Sequence, residues 1–143
     1  MTPAGDWLPL LHLGATLALV GVLWVVQVAV YPLFDALAPA DFPAYHHRYT
    51  RRITLVVAPL MVAEGLTALL LWLGGLRGPL AVAAAVLLLL IWLSTFALQV
   101  PLHLRLDRGY DAAAHRRLVA TNWIRTLAWT ARGVLLLAAW SAR

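Results

Sequence analysis

"TNWIRTLAWTARG", residues 121–133, has the apolar look of a membrane helix but carries Arg125 and Arg132, seven residues apart. A guanidinium at the centre of a bilayer costs at least ~2.5–3.5 kcal/mol on insertion scales. Each arginine therefore needs a partner or a task. Seven residues is close to two turns of helix, so both fall on one face together with Asn122 and Trp129. His115 extends the same stripe toward the N-terminal end of that helix.

The rest of the chain agrees with a membrane reading. It has 143 residues, 63% hydrophobic and 12% charged, where soluble domains run at roughly 45–50% apolar and about 25% charged. A hydrocarbon core of ~30 Å needs ~20 apolar residues per helix. Four such runs occur, roughly 8–31, 53–74, 80–102 and 120–140, leaving too little for a soluble domain. The expectation is an all-α, integral-membrane, antiparallel four-helix bundle forming one domain over 1–143. The first run has no basic segment ahead of it and is too long for a signal-peptide core, so it reads as a retained helix. The absence of cysteine excludes disulfides, thiolate catalysis and Cys-ligated zinc or iron–sulfur centres.

The arginines set the orientation. Arg48, Arg51, Arg52, Arg105, Arg108, Arg116 and Arg117 lie between runs one and two or three and four, whereas Arg77 and Arg143 lie on the other side. By the positive-inside rule, loops 32–52 and 103–119 face the cytoplasm of a bacterial inner membrane and both termini face out. The net charge of +5 then reflects topology and contact with anionic lipid, not nucleic-acid binding. The outer turn "GGLRGP" is marked by Gly and Pro. Asp41 and Asp111 are placed to cap the second and fourth helices. The two hairpins echo one another: Pro32 and Pro101, His46 and His115, and Arg48 and Arg117 are each 69 residues apart, the pattern of a weak internal repeat.

Polar residues within spans are the informative ones, because each lacks water. His46 and Glu64 are 18 residues apart, five turns of helix, with Pro59 expected to kink the segment between them. Trp92, Thr95, Gln99 and His103 form a stripe on the third helix, and Trp24, Gln27 and Tyr31 one on the first. At a rise of ~1.5 Å per residue, Glu64 lies about 18 Å beyond Arg52, and Arg132 about 22 Å beyond Arg117. Opposite charges at matching depth make Glu64 the expected partner of Arg132. The pair either locks two helices or belongs to a site. Gln27, Tyr31, His46, Gln99, His103, His115, Asn122 and Arg125 make a second cluster nearer the cytoplasm, read as a pocket open to the inner leaflet. Trp24, Trp92 and Trp129 are placed to wall a flat apolar ligand, whereas Tyr45, Tyr49 and Trp123 read as interface anchors. Neutral imidazoles suit a metal, but no HExxH or Glu-x-x-His pairing occurs. His12 is the only histidine well inside a run, which disfavours bis-His haem. No metal ligands are assigned, and any cofactor stays unnamed.

The run "VPLHLRLDRGYDAAAHRRLVATNWIRTLAW" resembles the C-terminal half of small four-helix bacterial membrane proteins of unknown function that are grouped with the fungal anthrone oxygenases. The matching positions are Pro101, Leu102, His103, Asn122, Trp123, Arg125 and Thr126. The family pattern has Asn where His103 stands, Trp-Asn where this chain has Asn122-Trp123, and a further histidine missing here. The resemblance implies oxidation of an anthrone-like substrate by molecular oxygen, which can proceed without a metal once a base forms the substrate anion. His103 or His115 then serves as base, and Arg125 with Asn122 stabilises the oxyanion. The leading expectation is a membrane-embedded oxidoreductase or binder of a flat, lipophilic quinone- or phenol-like molecule. Gln27, Tyr31, His46, Glu64, Trp92, Gln99, Asn122, Trp129 and Arg132 are its candidate ligand-binding residues. The competing readings are a non-catalytic accessory subunit of a larger membrane complex, and a small transporter that would need to form a homo-oligomer.

Overall fold

The computed structural model describes residues 7–141; both termini and Arg143 lie outside that part. Every element in it is helical, with no strand among the described residues. Helix α1 (Trp7–Val25) continues through a wide π turn (Val26–Val30) and a 3-10 segment (Tyr31–Ala36). Helix α2 spans Phe42–Leu73. Helix α3 (Pro79–Ser94) continues through a second π turn (Thr95–Gln99) into α4 (Val100–Leu106), and α5 spans Ala112–Ser141.

Three stretches, Trp7–Ala36, Phe42–Leu73 and Pro79–Leu106, are long and apolar enough to cross a membrane. Helix α5 matches them in length, with 30 residues, but is not among them. Its buried stripe of His115, Asn122, Arg125, Thr126 and Arg132 dilutes its hydropathy. Four runs apolar enough to span were expected, and three of the four helices have that character. The supposed loops 32–52 and 103–119 are also largely helical: only 37–41 and 107–111 break the helices at that end. Hydropathy marks where a helix is apolar, whereas helical hydrogen bonding continues into amphipathic ends bearing His46, Arg48 and Arg51.

Local chemistry explains the breaks and bends. Asp111 Oδ1 accepts the N–H groups of Ala113 and Ala114, both at 2.9 Å, capping α5. Asp41 stands at the N-cap position of α2 without a side-chain hydrogen bond, and Pro59 sits within an unbroken α2. Gly75 and Gly109 adopt φ of 93° and 149° in the turns after α2 and α4, which a side chain would oppose. Each π turn is followed closely by a proline, Pro32 or Pro101. A proline ring crowds the carbonyl one turn back and offers no N–H, so the helix widens there. The two π turns share the offset of 69 seen in the sequence.

The pairings along the helices run antiparallel. His12 and Thr16 of α1 and Tyr31 of the 3-10 segment meet Thr67, Glu64 and Tyr49 of α2. On α5, Arg132 and Asn122 meet His12 and Gln27 of α1, and Gln99 of the second π turn meets Thr121. Helix α5 packs along both α1 and α3, where the small residues of "AVAAAV" (81–86) allow close approach. Helix α2 packs extensively only on α1. It touches α3 at Gly65, where an added Cβ would come within 3.3 Å of the Trp92 ring. At the end bearing 37–41 and 107–111, α2 meets α4 again through His46 and His103, and between these two contacts a cavity occupies the gap between α2 and α3–α4.

Candidate functional site

Two polar networks lie inside the molecule, one around Arg132 and the other around Arg125. Arg132 is 1% exposed and Glu64 fully buried. The Arg132 Nε–H donates to Glu64 Oε1 at 2.9 Å, its Nη1 donates to the Ala84 carbonyl, and its Nη2 donates to His12 Nε2 at 2.8 Å. Glu64 also accepts the Thr16 hydroxyl at 2.5 Å and the Trp129 indole N–H at 3.0 Å. Arginine only donates, so His12 Nε2 accepts and its Nδ1–H donates to Thr67 Oγ1 at 2.7 Å. The Thr67 hydroxyl in turn donates to the Ala63 carbonyl. All three guanidinium nitrogens and both carboxylate oxygens are engaged.

Arg125 is the opposite case. It is 6% exposed, yet no carboxylate forms an ion pair with it among the described residues. Its Nη1 reaches Asn122 Oδ1 at a long 3.4 Å, and the guanidinium lies 5.3 Å from the centre of the Trp129 ring. Its Nε has no partner, and neither do Tyr49 Oη and Gln99 Oε1. Those three residues all line the cavity between α2 and α3–α4, whose volume is about 360 Å³. Most of the remaining wall is apolar, including Leu23, Val26, Val57 and Met61. Its rim carries Phe96 and Leu104, both well exposed on the outside of the helices.

Tyr31 and His103 also face this cavity. The Tyr31 hydroxyl lies 2.9 Å from His103 Nε2. His103 Nδ1 lies 3.0 Å from His46 Nε2, and His46 Nδ1 lies 2.6 Å from Asp107 Oδ1. Phe42 stacks on the buried His46 ring, and His46 stacks on His103. The helix that widens at each π turn presents Gln27 and Gln99 inward. Gln27 accepts from Asn122 at 2.8 Å and donates to the Val119 carbonyl at 3.1 Å, which fixes the amide that Arg125 reaches.

The expected residues therefore divide. Tyr31, Gln99, His103 and Arg125 line the cavity; Asn122, Gln27 and His46 brace them from behind. His115 does not line it. Its Nε2 bonds the Tyr31 carbonyl at 2.7 Å and its Nδ1 the Tyr110 hydroxyl at 3.2 Å, so it ties α5 to the end of α1. Glu64 and Arg132 belong to the saturated network, Trp129 joins the two networks, and Trp92 packs against the apolar cluster of Leu19, Leu23 and Ile91. Two residues that sequence reasoning passed over are central. Tyr49, expected as an interface anchor, lines the cavity, and Asp107, which lines it as well, ends the histidine chain. Both carried a faint signal: Tyr49 follows His46 by three residues and Asp107 follows His103 by four, each one helical turn on. His12 was likewise undervalued as a partner for Arg132.

The His, Asp and Glu side chains of the described residues form no cluster of three or more disposed around a metal ion. Compared with known proteins, the chain matches no family model, no curated sequence and no solved structure, so the site stands on its own geometry.

Proposed function

We propose that the protein is a membrane-embedded four-helix bundle that takes a flat, lipophilic phenol- or quinone-like molecule into the cavity beside Arg125. The observation that carries this reading is the buried guanidinium without a carboxylate, facing an apolar cavity alongside two further unpartnered polar atoms. Burying an unpaired charge costs several kcal/mol, and a ligand oxyanion or carbonyl would offset that cost. A volume of about 360 Å³ suits a small ring system, with an apolar wall and a few convergent polar groups. The gap lies between two lipid-facing helices, so the ligand enters sideways from the bilayer. The arginine-rich end is cytoplasmic under the positive-inside rule.

The chemistry such a site offers is deprotonation of an acidic hydroxyl and retention of the anion. His103, through Tyr31, is the base, and Arg125 is the counter-charge. An anthrone-type anion held there would react directly with molecular oxygen, so an oxygenase activity is the enzymatic form of this proposal. Gentle purification in mild detergent, followed by solvent extraction and mass spectrometry, tests it. A near-ultraviolet-absorbing phenol or quinone should accompany the wild type and be absent from Arg125→Gln. Larger chains co-purifying at fixed ratio, with no small molecule bound to either protein, would instead favour an accessory subunit.

A further inference from the structure

We infer that Tyr31, His103, His46 and Asp107 form a directed proton relay, carrying the proton of an ionisable hydroxyl in the cavity to the surface beside the α4–α5 turn. The inference rests on the cavity reading above and adds to it a route for the proton.

The direction follows from donor and acceptor chemistry. The Asp107 carboxylate only accepts, so His46 donates through Nδ1, over 2.6 Å. A neutral His46 then presents a bare Nε2, which accepts the Nδ1–H of His103 over 3.0 Å. That leaves His103 Nε2 bare to accept the Tyr31 hydroxyl over 2.9 Å. One carboxylate thus fixes the polarity of three hydrogen bonds that link the 3-10 segment, α2 and α4 with the turn after it. Tyr31, His103 and Asp107 all line the cavity; Tyr31 is 3% exposed, whereas the Asp107 side chain is 28% exposed. The chain therefore runs along the cavity wall from a buried hydroxyl to a carboxylate that reaches the surface.

The transfer balances without a redox step. The ligand O–H breaks and its proton passes to Tyr31 Oη as Tyr31 gives its own to His103 Nε2. His103 passes its Nδ1 proton to His46 Nε2, and His46 passes its Nδ1 proton to Asp107, which releases it to water. The ligand is left as an anion, and Arg125 is the nearby cation that receives it. The charged and titratable groups around the chain are Arg125 and His115 on α5, His47 and Tyr49 on α2, and Asp107 at its end; Phe34 and Phe42 pack against its rings. Apolar walls of this kind keep water from short-circuiting the transfer.

The test uses the full chain in detergent and a para-nitrophenol bearing an alkyl tail, whose absorbance distinguishes phenol from phenolate. On rapid mixing, the wild type should bind the probe as phenolate and release one proton per probe to a pH-indicating dye. Whatever their affinity, Asp107→Asn and His46→Gln should release the proton of each bound probe at least about tenfold more slowly than wild type. Added formate should restore the rate in Asp107→Asn. A merely structural Asp107 would alter binding and leave the rate untouched. Release at the wild-type rate in both variants overturns the relay and leaves the cavity reading standing. Failure of wild type and Arg125→Gln alike to take up the probe overturns the cavity reading, and the relay is then judged without ligand. Nitrogen-15 spectra should place the proton on Nδ1 of both His46 and His103 in the wild type, and Asp107→Asn should lose that single-tautomer signature. A proton on Nε2 of either ring in the wild type overturns the relay directly.

Discussion

Arg125 and Arg132 lie two turns apart on one face of α5 and are equally hidden from solvent, yet the protein treats them differently. Around Arg132 each guanidinium nitrogen and each Glu64 oxygen has a partner, drawn from Glu64, His12, Thr16, Trp129 and the Ala84 carbonyl, and Thr67 completes His12. Around Arg125 the partners run out, leaving its Nε, Tyr49 Oη and Gln99 Oε1 unpaired beside an open volume. A saturated network resists change and holds α1, α2, α3 and α5 together. An unsaturated one stores binding energy for something that is not part of the chain. Charge and burial alone do not separate a scaffold from a site. The count of unmet hydrogen bonds does.

The largest effect that can break this contrast is truncation in the saturated network. Glu64→Ala or Arg132→Ala leaves one buried charge alone and should destabilise by ~3–5 kcal/mol, read as loss of folded protein in detergent melts. A Glu64→Leu/Arg132→Met double variant removes both charges and should recover at least half of that loss. If the single variants melt like wild type, Arg132 is no more of a lock than Arg125.

Arg125→Gln should behave in the reverse sense. Its melting should match or exceed wild type, because a costly unpaired cation is gone. Binding of an alkyl-tailed phenol should weaken at least about tenfold, roughly 1.4 kcal/mol, by absorbance titration. A severe folding defect with binding retained would invert the comparison.

A surface charge near the Arg125 end gives a smaller, pH-dependent effect. The Ala114 N–H, helped by Arg105 and Ala113, holds the Asp111 carboxyl below its ordinary range. Asp111 therefore stabilises the fold above the usual carboxylate range, and that contribution is lost as pH falls through its depressed folded value. Asp111→Ala should lower the melting temperature slightly at neutral pH, and the gap from wild type should close in acid. A gap independent of pH would assign the effect to helix propensity instead of the cap.

Tyr49→Phe should have the smallest effect on folding. Its hydroxyl has no partner, so removing it should leave stability within about 1 kcal/mol of wild type or raise it. Phenol binding should fall only a few fold. A large loss of stability would mean that this hydroxyl is satisfied and that the cavity is less open than its unpaired atoms indicate.

The central ion pair of the saturated network was legible in the sequence, whereas His12, Thr16, Thr67 and the Ala84 carbonyl were not. Depth along two helices was enough to pair Glu64 with Arg132, because a buried charge must find its opposite and only one was at the right level. The cap at Asp111 and the shared offset of the two prolines were readable for similarly local reasons. The cavity was legible only in part: Tyr31, Gln99, His103 and Arg125 were named, but so was His115, which turned out to tie two helices, and Tyr49 and Asp107 were passed over.

Periodicity and hydropathy determined that the chain is helical, which face of each helix is polar, and roughly how deep each polar residue sits. These depend on the fixed rise and rotation of the α-helix, which the sequence carries residue by residue. The tertiary structure alone decided that α5 closes against α1 and α3 while a cavity stays open between α2 and α3–α4, and that His46, His103 and Asp107 meet in a line. It also decided that Arg125 is the guanidinium left without a carboxylate. An unmet hydrogen bond is defined by what fails to come near, and that depends on how all four helices pack at once.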